Sequence, residues 1–367
     1  MRPFSSAFIR VVWMVLVLVT GGSLPLMAQD VVRFTAQGRG AGERDLAGVI
    51  EKESAAGIQL KTREKAVFIP ATDIVFVQYK HPELLSVDFR AARDRISQAL
   101  VATGASLPEK VKQGRDAADK LAEKAGSSIP VARYATWQVA LSRFAEAKAF
   151  NKDAEAVSIL DRAATATRGG WEEVQALQLL VEEQLLQGQS PVAALDRWSK
   201  VPGLPKDAQA KVMNRVRLAK LREGKSAEVS KELSGRPSAE PGEASLLALA
   251  QLISGPMDAV QLKKARAALA NLVAQSIQKP SGTDPALEAG CLTLLGSYLV
   301  GQKKPDEAVW EFVRVEAQYP QEKPEMAEAL YHLATLYDSV LKNPRRAEEC
   351  AERLKSREYS GSVWLKK

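Results

Sequence analysis

Ala286–Pro320, reading ALEAGCLTLLGSYLVGQKKPDEAVWEFVRVEAQYP, is the stretch that decides the fold. On a 3.6-residue period Leu292, Leu295, Gly296 and Leu299 share one face of a first helix. Ala308, Phe312 and Val315 share one face of a second, and Pro320 ends it. The small residues Gly296 and Ala308 belong where the two helices approach most closely, with Phe312 filling the space one turn on. Such a hairpin cannot cover its own apolar face, so neighbours must stack on it.

This spacing resembles the tetratricopeptide pattern, W-x2-L-G-x2-Y, then A-x3-F, then P, over about 34 residues. Leu292 stands in the Trp place and Leu299 in the Tyr place, while Leu295, Gly296, Ala308, Phe312 and Pro320 match. The punctuation recurs. Asn151, Gly188, Gly224 and Gly301 are turn residues at one or two periods from each other, and Pro205, Pro241, Pro280 and Pro320 are terminators at a similar spacing. Leu177 and Leu180 before Ala194 and Trp198 form a degenerate copy; Leu330, Leu333, Ala334 and Tyr337 before Ala347 and Leu354 form the last. The register between Lys206 and Pro280 stays open. The resemblance runs from about Pro130 to Lys367 and implies an α-solenoid of helical hairpins. It also implies a concave groove lined by first helices, whose outward positions are Thr293, Ser297, Tyr331, Thr335 and Asp338. A protein or peptide partner is the expected occupant.

The chain opens differently. Met1–Ala28 has basic Arg2 and Arg10, an apolar run Val11–Val19, and breakers Gly21, Gly22 and Pro25. That run is shorter than the roughly 20 residues a bilayer span needs, so residues 1–28 read as a cleaved signal peptide. Export to the periplasm or cell envelope follows, with no integral span once the signal is removed. From Asp30 to Lys80, VVRFTAQ, LAGVIEKES, GIQLKTR, AVFIP and DIVFVQY are short, β-branched and partly alternating. Five strands in this space resemble a small SH3-like or Sm-like barrel, whose closure would remove exposed edges. Gly38, Gly40 and Gly42 lack the G-x-G-x-x-G spacing of a dinucleotide site and read as a loop. Residues 82–129 then form a helical connector, and 130–367 the repeats. The closing REYSGSVWLKK resembles the tail of bacterial envelope repeat proteins and suggests a cap on the last hairpin.

Of 367 residues, 46% are hydrophobic, enough for a sizeable core, and the +7 charge alternates in sign along the helices. That pattern argues against a nucleic-acid footprint, which would cluster its basic residues. His81 and His332 are the two histidines, too few and too scattered for a zinc site. No G-x-S-x-G or H-E-x-x-H motif occurs. Catalytic residues, metals and cofactors are therefore not expected. Cys291 and Cys350 fall in successive hairpins, where an oxidising compartment permits a bridge; two buried thiols are the alternative. Glu182-Glu183 and Glu348-Glu349 read as solvated faces, and Trp137, Trp171, Trp198 and Trp310 as packing residues. The expectation is a non-enzymatic interaction scaffold in an envelope complex. The competing expectation is a protein that binds or processes peptidoglycan or polysaccharide.

Overall fold

The computed structural model describes residues 29–35, 42–235, 240–256, 258–278 and 284–367. The signal-peptide reading, Gly38, Gly40 and Pro280 lie outside the described residues. The chain is mainly helical, preceded by five strands: β1 (Asp30–Thr35), β2 (Glu43–Ser54), β3 (Gly57–Lys61), β4 (Ala66–Pro70) and β5 (Ile74–Gln78). All pairings are antiparallel, in the order β4-β3-β2-β1-β5. β2 pairs along both neighbours and is kinked by an irregularity between Ile50 and Lys52, which re-aims its second half.

The expected closed barrel does not form. β4 and β5 end the order without pairing to each other, and the sheet stays open. Helices do the covering that closure would have done. The 3-10 turn Ala71–Asp73 between β4 and β5 sits on α5 (Trp171–Leu186), where Gln175 Nε2 donates to the carbonyls of Ala71 and Ile74. β5 packs on α1 (Ser86–Val101). Tyr134 of α3 (Ile129–Ala149) is buried among Phe76, Tyr79, Phe89 and Trp171, with ring centroids 5.8–6.4 Å away. The apolar residues of the sheet thus belong to the same core as the first helices.

A buried charge cluster lies at this junction. Arg133 on α3 stands between Glu53 of β2 (3.3 Å) and Glu172 of α5 (3.7 Å). The Tyr79 hydroxyl donates to Glu53 Oε1 (2.9 Å) and accepts from Trp171 Nε1 (3.3 Å). Two carboxyls share one guanidinium out of water. Burial and the Glu53 charge push Glu172 up to about 8, and burial raises Glu53.

The remaining helices are α2 (Leu107–Lys124), α4 (Asp153–Ala166), α6 (Val192–Ser199), α7 (Lys206–Arg222), α8 (Ser226–Ser234), α9 (Pro241–Ser254) and α10 (Ala259–Gln278). They are followed by α11 (Pro285–Gly301), α12 (Pro305–Gln318), α13 (Lys323–Ser339) and α14 (Pro344–Leu354). Consecutive helices pack as pairs, α1 with α2 through α13 with α14. In α11 and α12, Leu292, Leu295, Leu299, Ala308 and Phe312 are all buried. A Cβ on Gly296 would stand 2.8 Å from the Phe312 ring, so the glycine is where the ring seats. Pro320 follows the end of α12, whereas Pro205 and Pro241 stand at the starts of α7 and α9.

The turns repeat one device. Asn151, Gly188, Gly224 and Lys303 have φ between 55° and 78°, and each precedes a residue whose N–H reaches five residues back. Those bonds are Lys152 to Ala147, Gln189 to Gln184, Lys225 to Lys220, and Lys304 to Leu299, at 2.7–2.9 Å. This left-handed cap satisfies carbonyls that the helix end leaves free. Lys303, not Gly301, carries the last of the four; Gly301 is the final residue of α11. Trp137, Trp171 and Trp198 are buried as expected, but Trp310 is 55% exposed on the outer side of α12.

The helical part of the chain packs back on itself: α13 packs against α5, and α11 against α7. Helix α13 thereby meets a helix more than a hundred residues earlier in the chain. Among the described residues no helix is long and apolar enough to cross a membrane.

Candidate functional site

Helices α5, α7, α11 and α13 turn toward one another, and their facing residues form the inner side of the curl. On α7, Arg215, Leu218 and Arg222 recur at three- and four-residue steps and so share a stripe. Leu218 is the contact point with α11, filling the space a side chain on Gly290 would need. Arg215 and Arg222 flank that contact and each finds acids.

Arg215 grips Asp284 with Nη2 at 2.6 Å and Nε at 3.1 Å from the carboxylate. Its guanidinium stands 5.6 Å from the Trp198 ring centre. Asp284 also caps α11, accepting from the Leu287 N–H. Burial opposes the charge on Arg215, and Asp284 more than offsets it, raising its pKa.

Arg222 Nη2 donates to Thr293 Oγ1 at 2.8 Å and lies 3.3 Å from Glu325 and 3.5 Å from Glu328. Ser297 donates to Glu328 Oε1 at 2.6 Å. Three helices are joined by this row. Burial raises Glu325 against the pull of Arg222, and burial with the Glu325 charge pushes nearby Glu322 up to about 8. Burial also raises Glu182.

Two clefts open over this inner side. The first, of about 580 Å³, is lined by Ser190, Arg222, Leu294, Ser297, Glu328 and Trp364 among others. The second, of about 600 Å³, includes Phe144, Lys148, Glu182, Glu183, Lys323 and Arg357. Adjacent residues of α5 (Leu185 and Leu186) and of α13 (Pro324 and Lys323) line one cleft each, so the two adjoin. A third cleft, about 420 Å³, lies between the Ala71–Asp73 turn and α5 and α7, with Lys211 and Arg215 on its wall. The first cleft offers hydrogen-bond donors, acceptors and apolar surface.

The residues expected to face a groove divide. Ser297 lines the first cleft. Tyr331 is half-buried beside it, 5.0 Å from Trp364 and 5.2 Å from His332 by ring centres. Thr335 and Asp338 are exposed further along α13 and line none of the three clefts. Thr293 is fully buried and spent on Arg222, which corrects its outward placement. The curl brings α7 over α11 and removes that position from the surface. Cys291 and Cys350 are both buried and free; the permitted bridge is not made. Burial pushes Cys350 up to about 11 and Cys291 higher still, as for thiols that pack.

Glu182-Glu183 is likewise not a solvated pair. Glu183 is 5% exposed and accepts from Lys148 Nζ at 2.8 Å and Gln187 Nε2 at 2.7 Å. His332 stacks on Phe312 at 4.6 Å, and burial lowers its pKa despite Glu328. Sequence reasoning misses Arg215, Arg222, Glu325, Glu328 and Trp364 as site residues. The four charged residues carry a signal, charge recurring on helices otherwise packed with leucine, whereas Trp364 lies in a short terminal turn. Among the described residues no group of three or more His, Cys, Asp or Glu is placed to hold a metal ion. No family model, curated protein or solved structure matches the chain.

Proposed function

We propose that this chain is a non-enzymatic interaction scaffold of the cell envelope, exported by its first 28 residues. In this reading the helices after Pro130 are a TPR-like superhelical array. It holds a peptide segment of a partner protein against the inner side of α5, α7, α11 and α13. The observation that carries the reading is the first cleft. Its wall combines Arg222, Glu328 and Ser297 with Leu185, Leu294 and Pro324, a mixture suited to backbone groups and side chains together. The recurrence of the left-handed cap supports the repeat part of the reading. The open sheet, sharing its core with the helices, serves as a fixed support for the array. Neither a nucleic acid nor a cofactor enters this function.

Affinity capture from bacterial envelope extracts tests it with two variants. Ser297→Arg fills the first cleft, whereas Thr335→Arg adds the same charge on α13 away from the clefts. Partners retained by the wild type and by Thr335→Arg, but lost by Ser297→Arg, are the expected outcome. Identical recoveries with all three proteins would remove the cleft from the function.

A further inference from the structure

The inner side is already occupied in part by the chain itself. After α14, the stretch from Arg357 onward forms two short 3-10 turns, Arg357–Tyr359 and Val363–Lys366, and crosses between the two clefts. Arg357 and Glu358 wall the second cleft; Val363, Trp364 and Lys367 wall the first. We propose that Ser360–Lys367 is an intramolecular strap, hinged at buried Tyr359, which holds the place of a partner segment carrying an aromatic residue beside a basic one. The proposal rests on the reading that the inner side is the binding face.

The contacts of the strap resemble those of a bound peptide. Lys148 Nζ donates to the Ser360 carbonyl at 2.6 Å while held by Glu183 at 2.8 Å. Gly361 has φ 82° and passes so close to Asp153 that any side chain would collide with the carboxylate. Val363 lies on Gly188, in the turn after α5. Trp364 packs on Tyr331 and His332 with centroids 5.0 Å and 5.4 Å away, and Lys367 Nζ sits 3.8 Å from the Trp364 ring centre. Together these hold the strap by one carbonyl, one apolar side chain and one ring, with Ser362 buried beneath them and the Lys367 ammonium on the strap's own ring, and with no strand pairing or long helix. Leu365, Lys366 and Lys367 are exposed.

The chemistry of the replacing segment follows from what the strap uncovers. Tyr331 and His332 would take a ring, and Lys148 a backbone carbonyl. Glu223, exposed at the rim of the first cleft and held there by exposed Lys225 and by Ser190, would take a basic side chain in exchange for Lys225, whereas Glu328 is already paired with Arg222 and Ser297. With the strap moved aside the two adjoining clefts become one trench.

A fluorescent peptide of residues 360–367, SGSVWLKK, is the probe, with full-length protein and anisotropy as the readout. Gly361→Ala dislodges the strap and leaves every trench residue native; Trp364→Ala weakens it by a separate route. Removing a competing closed state raises apparent affinity by the inverse of the open fraction. Both variants should therefore bind the probe about tenfold tighter than wild type or more, and a probe with Trp replaced by Ala should bind neither. Ser297→Arg placed in the Gly361→Ala chain should abolish the gain. Equal affinity for wild type and both variants, with their circular dichroism and melting unchanged, overturns the strap. In that event envelope captures that still depend on Ser297 leave the binding face standing; captures indifferent to Ser297 remove both.

Discussion

Replacing Glu172 by Gln should flatten the dependence of stability on pH. Glu172 is fully buried on α5, shares Arg133 with Glu53, and is pushed up to about 8 by burial and the Glu53 charge. A carboxyl whose pKa is raised on folding favours the folded state while protonated. Its contribution is fully present below the unfolded value near 4.5 and is lost as pH rises through about 8. The loss is roughly 1 kcal/mol per pH unit across that window, or on the order of 3 kcal/mol between pH 5 and pH 8. Glutamine keeps the shape without the titration and leaves Arg133 to pair with Glu53 alone. Urea unfolding followed by tryptophan fluorescence at pH 5, 6, 7 and 8 measures it. Glu322, Glu325 and Glu182 are also raised and add their own downward slope to both proteins, so the difference between variant and wild type reports the titration of the Glu53–Glu172 pair. The variant should gain on the wild type as pH rises. Parallel curves, or a gain confined to low pH, would refute the assignment of a buried proton to this junction.

Three further outcomes follow from single contacts. Gly296→Ala places a methyl 2.8 Å from the Phe312 ring and should destabilise by about 1–3 kcal/mol in thermal or urea unfolding; a change within about 0.5 kcal/mol would mean the ring moves freely. Arg222→Met strands Glu325 and Glu328 among helices and should cost roughly 3 kcal/mol or more at pH 8, less at pH 5 where Glu325, raised by burial, can protonate; an equal cost at both values would deny the charge its role. Lys303→Gly relieves a non-glycine residue at φ 57° and should stabilise by about 0.5–1 kcal/mol, read as a higher urea midpoint. No gain there would mean the lysine side chain contributes a compensating contact.

The five strands, the α11–α12 hairpin and most helix stops were legible because each depends on neighbours in sequence. Alternation marked β1 to β5, and Gly188 and Gly224 marked left-handed caps that any residue with a Cβ adopts at a cost. Gly301 misled because Lys303, two residues on, accepted that cost instead. The site was less legible. Of the outward positions of first helices, Ser297 lines the first cleft and Tyr331 lies beside it, but Thr293, on the same stripe as Ser297, is covered by Arg222 from a helix 71 residues away. Glu183 looked solvated until Lys148, 35 residues earlier, was placed beside it.

Local periodicity and turn chemistry thus determined the elements by themselves: where strands alternate, where helices begin and cap, and which face of each is apolar. How far the helical part of the chain packs back on itself was decided only by tertiary packing. α13 reaches α5, and residues 357–364 reach α1 and α3, through contacts such as Arg357 to the Ala99 carbonyl, 258 residues apart. Whether the sheet closes was settled in the same way, because α1, α3 and α5 cover the apolar side that a barrel would have turned inward on itself.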